Sequence, residues 1–330
     1  MKLESKVFKR LVSYVKALII PVGMWFLFAL LTNGRTATHR MLMNTLRQSV
    51  TASVICYGLL LNFHLGMLNF SAGALMLFAG IIGGNLAKLT GTGIVGLVVI
   101  IVALSVLFGF LTGLVYNLLR VPCIVLSIGL MLVWEAAPKL FYRDGLNLPP
   151  EITVLCRNPN CFYVLAVCAV AFFVIYNLSA FGHNVRALGN NQAIANSVGL
   201  NGDRIKLMSF VVGAGFLGVA SVLYMSERGE VRNVAAMDSL SIMLDGFMSM
   251  FIALFLSRYC DLSIAVVLGT FSMKMLTNGF VALGLSSTMR DVAQGVFLLV
   301  LLTISANAGL FERRKADREY ARMCAQETTV

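Results

Sequence analysis

The sequence predicts an all-α, polytopic membrane helix bundle, and three observations lead to that fold class. Of the 330 residues, 58% are hydrophobic and only 12% are charged, and the mean hydropathy is +0.85. A chain of this composition cannot build the solvated surface of a soluble domain. In addition, apolar runs of about 20 residues, the length that crosses a hydrocarbon core as a helix, recur along the whole chain.

Ten such runs predict about ten transmembrane helices, with edges accurate to a few residues. The second and third runs form a nearly unbroken stretch, and Asn62 and His64 mark the expected turn between them. The runs leave an N-terminal tail of residues 1–14, a membrane domain of residues 15–311 and a C-terminal tail of residues 312–330. They cover residues 15–32, 46–63, 66–87, 93–118, 121–142, 161–180, 206–226, 239–257, 262–283 and 291–311.

Lysine and arginine residues predict that both ends of the chain lie in the cytoplasm. Basic residues cluster at the start of the chain and again after the last run, and an even number of crossings puts both ends on one side. Threading inward from there places the polar segment of about 181–206 in the cytoplasm. It places residues 143–160, which contain three prolines, outside, where they are either irregular or form only a short helix. The net charge of +11 then reflects this topology beside anionic lipid rather than nucleic-acid binding.

The seven cysteines offer one candidate disulfide. Cys156 and Cys161 lie in the predicted outer segment CRNPNC, although spacing alone does not establish the geometry that a disulfide requires. The other cysteines fall in or beside the runs or in the C-terminal tail, where small apolar fillers or reduced thiols are expected. No CxxC or HExxH motif predicts a metal site, and no arrangement of nucleophile and base predicts a catalytic residue.

The segment GHNVRALGNNQAIANSVGLNGDRIKL, residues 182–207, is a polar island in this apolar chain. Asn190 or Asn191 suits a helix N-cap, QAIANSV is compatible with a short helix, and Gly199 supplies its end. This helix is expected outside the membrane, where it either docks into a groove of another protein or rests on lipid headgroups. Its apolar residues are Ala193, Ile194 and Val198.

Charged and polar residues within the runs are the other candidates for function. Glu135, Asp245 and Lys274 each cost about 2.5–3.5 kcal/mol at mid-span, so they should face the bundle interior or a water-filled path. For Asp245 and Lys274, structural pairing and a role in a substrate path are equally open. Asn69 and Ser71, with glycines nearby, are better candidates for a broken helix near a pathway.

The polar island resembles the loop of permease subunits of bacterial ABC importers of the ribose/galactose and branched-chain amino acid class. Gly182, Ala187, Gly189, Asn191, Ala195 and Gly199 match the pattern of that loop, whereas Ile194 and Leu200 replace its usual Ala and Ile. In that family the segment is the coupling helix, which inserts into the ATPase subunit. The resemblance therefore implies ATPase coupling for Ala187, Gly189, Asn190, Asn191, Ala193, Ile194, Ala195 and Gly199.

A second stretch, LGMLNFSAGALMLFAG, is similar to another signature of the same family. Gly66, Asn69, Phe70, Ser71 and Gly73 carry that match, and the similarity as a whole runs from about residue 58 to residue 307. Asp245, which lies within a predicted span, is added to three residues of this signature. The expected substrate-pathway residues are therefore Asn69, Phe70, Ser71 and Asp245.

One stretch departs from the family pattern. Phe251, Leu254, Phe255 and Arg258 stand where sugar-type relatives usually have a Gly-rich segment that permits a tight turn or close helix approach. The departure implies altered local packing, and it leaves open whether the chain pairs with an identical or a homologous permease.

The resemblance implies an ATP-driven importer permease in the bacterial cytoplasmic membrane, passing a small solute by alternating access. A sugar is the first expectation, with branched-chain amino acids or nucleosides as alternatives. Because the chain contains no GxxxxGK[ST] motif, ATP and magnesium are expected in partner ATPase subunits and no cofactor in this chain. The other implied partners are a second permease subunit, an external solute-binding protein and membrane lipid. A less favoured alternative is a secondary transporter with Glu135 or Asp245 as its ion site.

Overall fold

Helices make up nearly all of the structure. The computed structural model describes residues 2–148, 159–233, 237–297, 299–300 and 303, with side chains from Tyr14 onward. The helices are α1 Lys2–Leu31, α2 His39–His64, α3 Ala72–Thr90, α4 Gly93–Leu119, α5 Cys123–Phe141, α6 Asn160–Phe173, α7 Ala180–Asn190, α8 Gln192–Ser197, α9 Gly202–Arg228, α10 Ser239–Leu256, α11 Leu262–Ala282 and α12, residues 287–297. Strands β1 Leu146–Asn147 and β2 Glu230–Val231 pair antiparallel.

Eight of the described helices are long and apolar enough to cross a membrane. They are α1, α3, α4, α5, α6 with the π-helical turn that follows it, α9, α10 and α11, and each occupies one of the predicted runs. The second predicted run, 46–63, lies inside α2, which is long enough but more polar than the other eight. Of the tenth run, 291–311, only the first part is described. The predicted all-α membrane bundle is confirmed.

Helix α2 lies at the centre of the bundle, with every residue from Ser49 to Asn62 buried. Its backbone nearly touches that of α9, since a Cβ atom on Gly58 would lie 2.8 Å from the carbonyl oxygen of Gly213. The Ser209 hydroxyl of α9 donates a 2.8 Å hydrogen bond to Oδ1 of Asn62. Small residues that let helices approach and polar side chains that bond across them are the usual means of packing helices in membranes.

The third predicted run begins too early. Residues 65–71 are not α-helical and α3 starts at Ala72, whereas the apolar pattern predicted a start at residue 66. Oδ1 of Asn69 accepts hydrogen bonds from the backbone N–H of Ser71 at 3.1 Å and from its hydroxyl at 2.7 Å. Such side-chain bonds offer the backbone an alternative to the helix. The turn predicted at Asn62 and His64 is confirmed, because α2 ends at His64.

The predicted irregular segment of residues 143–160 begins with the small β-ribbon. Leu146 pairs with Val231, and the Asn85 amide of α3 donates a 3.0 Å hydrogen bond to the carbonyl of Gly145 beside it. Residues 149–158 lie outside the described part, and they include Cys156, so the disulfide with Cys161 stays a prediction.

Aromatic packing fills the region that departs from the family pattern. The Phe251 ring of α10 meets the Phe63 ring of α2 edge to face, with centroids 5.7 Å apart. The Arg258 guanidinium lies 5.8 Å from the centroid of the Phe255 ring. Large side chains therefore hold α10 against α2 here, which is consistent with the expected change in local packing.

Candidate coupling segment and solute cavity

The polar island folds into two helices, α7 and α8, where the sequence predicted one. The sixth predicted run, 161–180, ends earlier as an α-helix, at Phe173, and continues as a π-helical turn over Val174–Leu178. The Ser179 hydroxyl then accepts a 3.0 Å hydrogen bond from the Gly182 N–H and caps α7. Helix α7 was missed because its few apolar residues are diluted by polar ones, and the cap sits at the end of an apolar run.

Helix α8 has the ends that the sequence predicted. Oδ1 of Asn191 accepts hydrogen bonds from the backbone N–H groups of Ala193 at 3.0 Å and Ile194 at 3.1 Å, which makes Asn191 the N-cap. Asn190 is instead the last residue of α7. Gly199 follows the helix with a φ of 88°, a conformation that glycine adopts at little steric cost.

The two faces of α8 are different. Ala195 is 5% exposed and packs with Val185, Leu188 and Ile205, which fixes the helix to α7 and α9. Ile194 and Val198 are 62% and 77% exposed. The predicted coupling residues therefore divide into one inward-facing anchor, Ala195, and an exposed set. That set consists of Ala187, Gly189, Asn190, Asn191, Ala193, Ile194 and Gly199.

The coupling segment, defined here as residues 180–200, lies directly against the end of α2. A Cβ atom on Gly189 would overlap the carbonyl oxygen of His64, so only glycine permits this approach. The Tyr176 ring lies near two partners, with its centroid 5.1 Å from the centroid of the His64 ring and 5.2 Å from Cζ of Arg186. Sequence reasoning missed this cluster because its members are far apart in the chain and belong to no local pattern.

Asn69, Phe70 and Ser71 lie at the break between α2 and α3. The side chains of Asn69 and Ser71 are buried and bonded to each other, and the Phe70 ring lies 5.4 Å from that of Phe247 in α10. None of the three lines the cavity that contains Asp245. The structure therefore separates the predicted substrate-pathway residues into two places.

Glu135 of α5 binds the backbone N–H groups at the start of α10. Its carboxylate is buried and accepts 2.9 Å hydrogen bonds from the backbone N–H groups of Met237 and Ser239. The first N–H groups of a helix have no partner within the helix, and a carboxylate also suits the positive end of the helix dipole. The position of Glu135 within a span thus has a structural explanation.

Asp245 of α10 and Lys274 of α11 form an ion pair. The pair lies in the wall of a cavity of about 350 Å³ between α2, α9, α10 and α11, which we call the membrane cavity. The expected pairing is therefore present, and the pair also lines a space, while a role of these residues in a substrate path stays a prediction. The polar and charged residues of the wall include Gln48, Thr51, Glu227, Arg228, Asp245 and Lys274.

Comparison with known proteins identifies the family. The family model described as "Branched-chain amino acid transport system / permease component" matches residues 41–304. The chain is 23% identical to the Autoinducer 2 import system permease protein LsrC of Yersinia pseudotuberculosis serotype IB (strain PB1/+), over 73% of this chain and 71% of LsrC. It is 28% identical to the probable ABC transporter permease protein YphD of Escherichia coli (strain K12), over 60% of this chain and 61% of YphD.

A third relative is LsrC of Photorhabdus luminescens, 25% identical over 59% of this chain and 60% of the relative. No solved structure gives a significant match. The family model covers both the break at Asn69 and the coupling segment, as well as the membrane cavity. The chain thus belongs to the family of branched-chain amino acid transport system permease components, the non-catalytic, multi-pass membrane subunits of bacterial ABC importers.

Proposed function

We propose that this chain forms half of the solute pathway of an importer and that α8 receives the force of ATP hydrolysis from a partner ATPase. The observation that carries the proposal is the exposed apolar pair Ile194 and Val198 on a helix whose other face is anchored by Ala195. Removing apolar surface from water is the main favourable contribution to most protein–protein association. An amphipathic helix with one apolar face free is suited to docking in a groove of another protein.

The proposed orientation puts the coupling segment and both chain ends in the cytoplasm. The structure is consistent with this threading at one further point, since α4 ends beside the start of α9. The Asn117 amide donates a 2.9 Å hydrogen bond to the Asp203 carbonyl there. The basic residues of that region, Arg120, Arg204 and Lys206, would then all lie on the cytoplasmic side, as the positive-inside rule expects.

The proposed partners are the other subunits that an ABC importer needs. Two ATPase subunits would hold ATP and magnesium, a second permease, identical or homologous, would complete the pathway, and an external binding protein would deliver the solute. The chain would move its solute by alternating access, with the membrane cavity as the part of the path that Asp245 lines. Asn69, Phe70 and Ser71 would shape the break in the helix from which α3 starts.

We propose a sugar as the first solute class, ahead of branched-chain amino acids and nucleosides. The coupling segment resembles the sugar-type loop, and the polar wall of the membrane cavity suits a polar solute. Ion-coupled transport finds less support, because both oxygens of the Glu135 carboxylate bond to backbone N–H groups and Asp245 is paired with Lys274.

The test is a pair of substitutions, Ile194→Asp and Val198→Asp, in the complete importer. Each places a charge where an apolar contact is proposed, and we expect at least a tenfold loss of ATPase binding, about 1.4 kcal/mol, with membrane insertion unchanged. Pull-down of the ATPase and ATP-driven uptake into proteoliposomes measure the two effects.

Met289→Asp is the matched control, because Met289 is 61% exposed, like Ile194, but lies on α12. It should leave ATPase binding intact. Ala195→Arg should also abolish coupling, but by unseating α8, so it should lower thermal stability as well. Normal uptake by the Ile194 and Val198 variants would overturn the proposal.

A further inference from the structure

We infer that Tyr176 is a positioning residue for energy coupling, which holds the coupling segment against α2 through a row of buried aromatic rings. The inference rests on the proposed function and concerns how movement of the coupling segment enters the bundle. Three features of the structure carry it: the irregular connection between α6 and α7, the rings stacked between α2 and α6, and the contacts that join these rings to α7.

The coupling segment is connected to α6 by irregular backbone. Val174–Leu178 form the π-helical turn, and Ser179 after it has an extended backbone, with φ −82° and ψ 153°. π-Helical turns are rare and occur frequently at functional sites. They are also among the places where helices kink. The connection can therefore bend, and α6 alone would carry a movement of the coupling segment poorly.

Three buried aromatic rings, which we call the aromatic row, follow the contact between α2 and α6. The Tyr57 ring of α2 stacks on the Phe172 ring of α6, with centroids 4.6 Å apart. Phe172 stacks in turn on Tyr176 of the π-helical turn, with centroids 5.5 Å apart and an angle of 7° between the planes. The Tyr57 hydroxyl also donates a 2.7 Å hydrogen bond to the Ser263 carbonyl of α11. Closely packed rings cannot shift without losing contacts, so the aromatic row fixes the π-helical turn to α2.

Tyr176, at the end of the aromatic row, also contacts α7 and the end of α2. Its ring lies beside the guanidinium of Arg186 and beside the His64 ring. Nδ1 of His64 donates a 2.8 Å hydrogen bond to the Leu60 carbonyl, which orients that ring. Nε of Arg186 donates a 3.4 Å hydrogen bond to the Gly182 carbonyl, which keeps the guanidinium near α7. Tyr176 is therefore shared by α2, α6 and the coupling segment.

Glycines permit close backbone approach on both sides of Tyr176. A Cβ atom on Gly182 would overlap the carbonyl oxygens of Ile175 and Tyr176, so the start of α7 packs directly on the π-helical turn. The end of α7 packs on α2 through the contact between Gly189 and the His64 carbonyl. Loss of the Tyr176 side chain would leave a void between these two contacts. The exposed face of α8 would keep its residues.

The aromatic row decides between two responses of the bundle to a movement of the coupling segment. In one response the π-helical turn bends and α2 stays where it is. In the other, α2 moves together with the segment. With Tyr176 in place, the stacked rings hold the turn and α2 together and favour the second response. Without its ring, the turn can bend alone, and the effect of ATP hydrolysis would not reach the membrane cavity.

The first test measures how ATP changes access to the membrane cavity. Ser241→Cys places a thiol in the cavity wall of the purified permease–ATPase complex. The thiol is labelled with hydroxyethyl methanethiosulfonate, with and without ATP, magnesium and vanadate, and the reaction of the chain without this cysteine is subtracted. With Tyr176 present, we expect the nucleotide to change the labelling rate at least about fivefold. Tyr176→Ala should abolish that change while ATPase binding in a pull-down stays intact.

Two further variants serve as controls in the same assay. Tyr176→Phe keeps the ring and should keep the response to ATP. Tyr163→Ala is the matched control, because Tyr163 also lies on α6 but is 66% exposed, and it should respond like the parent chain.

The second test measures positioning in the permease alone, by hydrogen exchange of backbone amides. Tyr176→Ala should make residues 180–200 exchange about tenfold faster, because their contact with α2 is loosened. Tyr176→Phe and Tyr163→Ala should leave that exchange unchanged. Helix α5 should exchange at the parent rate in every variant, which excludes general unfolding.

The outcomes separate the inference from the proposed function. Unchanged exchange in Tyr176→Ala, a retained response to ATP in that variant, or an equal defect in Tyr176→Phe overturns the inference. So does loss of ATPase binding together with the response, since Tyr176 would then only support the fold of the segment. A parent complex that binds no ATPase, or that does not respond to ATP, contradicts the proposed function, and hydrogen exchange still decides whether Tyr176 holds the coupling segment.

Discussion

Helices α2 and α4 have almost the same length, 26 and 27 residues, and opposite characters. Helix α4 has the highest hydropathy of the eight candidate spans, yet less than a quarter of its most apolar window is buried. Helix α2 contains Arg47, Gln48 and several Ser and Thr residues, and its residues from 49 to 62 are all buried.

The difference shows that in this protein hydropathy follows contact with lipid rather than depth in the core. On α4, side chains such as Val95 and Val99 face outward and must be apolar, because lipid offers no hydrogen-bond partner. On α2, other helices surround the side chains and supply partners, so polar residues are tolerated and can border a cavity. The buried helix α2 is therefore less apolar than the lipid-facing helix α4, although both belong to the membrane bundle.

The largest expected effect tests whether α2 is packed on all sides. Gly58→Leu would force a side chain into the Gly213 carbonyl, a backbone group that cannot move aside, and into the Leu217 side chain of α9. The cost should therefore exceed about 5 kcal/mol, beyond the range of about 1–3 kcal/mol for ordinary overpacking. We expect little folded protein by size-exclusion chromatography. Gly129→Leu in α5 is the control, since no atom lies within 4 Å of a Cβ there. Equal yields of the two variants would refute the close α2–α9 contact.

A smaller effect compares the two faces of α4. Leu97 is fully buried, and Leu107 is 50% exposed. Leu97→Ala should lower the free energy of unfolding by about 2–5 kcal/mol through the cavity it leaves. Leu107→Ala should change it by less than about 0.5 kcal/mol, as expected for a surface position. Thermal unfolding in detergent measures both, and similar losses would contradict a lipid-facing position for Leu107.

The smallest effect concerns the polar content of α2. The Ser53 and Thr270 hydroxyls lie 2.6 Å apart between α2 and α11. Interhelical hydrogen bonds in membrane proteins average about 0.6 kcal/mol, so Ser53→Ala should shift stability only by about that amount. A double-mutant cycle with Thr270→Val isolates the coupling energy. A coupling well above 2 kcal/mol would mean that hydrogen bonds, rather than close packing, hold α2 in place.

Local sequence signals predicted the membrane helices and the cap of α8, but not α7, since composition and capping depend on neighbours in the chain. A lipid-facing helix can be recognised from the apolar composition of its own residues. Asn191 can be recognised as a cap because the helix that it caps begins at the next residue. Partners distant in sequence were not predictable in the same way. The bond of Glu135 to the start of α10 spans about a hundred residues, and nothing near either end indicates it.

The candidate site shows the same limit. The sequence indicated that Asp245 and Lys274 face the interior, because charges are costly in lipid, but not that they would do so in one cavity with Glu227 and Arg228. The family resemblance grouped Ala195 with the other coupling residues and did not indicate which of them face inward. Only the fold reveals which side of α8 is anchored.

The contact between Gly189 and the His64 carbonyl has a mechanical consequence. No side chain separates the two backbones, so a displacement of the coupling segment toward α2 would be transmitted directly to the end of α2. From His64 to Gln48 the helix spans about 24 Å, at about 1.5 Å per residue. If the coupling segment receives force as proposed, α2 would act as a stiff rod, and a pivot of about 5° at one end would move the other by about 2 Å, comparable to the H···O distance of a hydrogen bond.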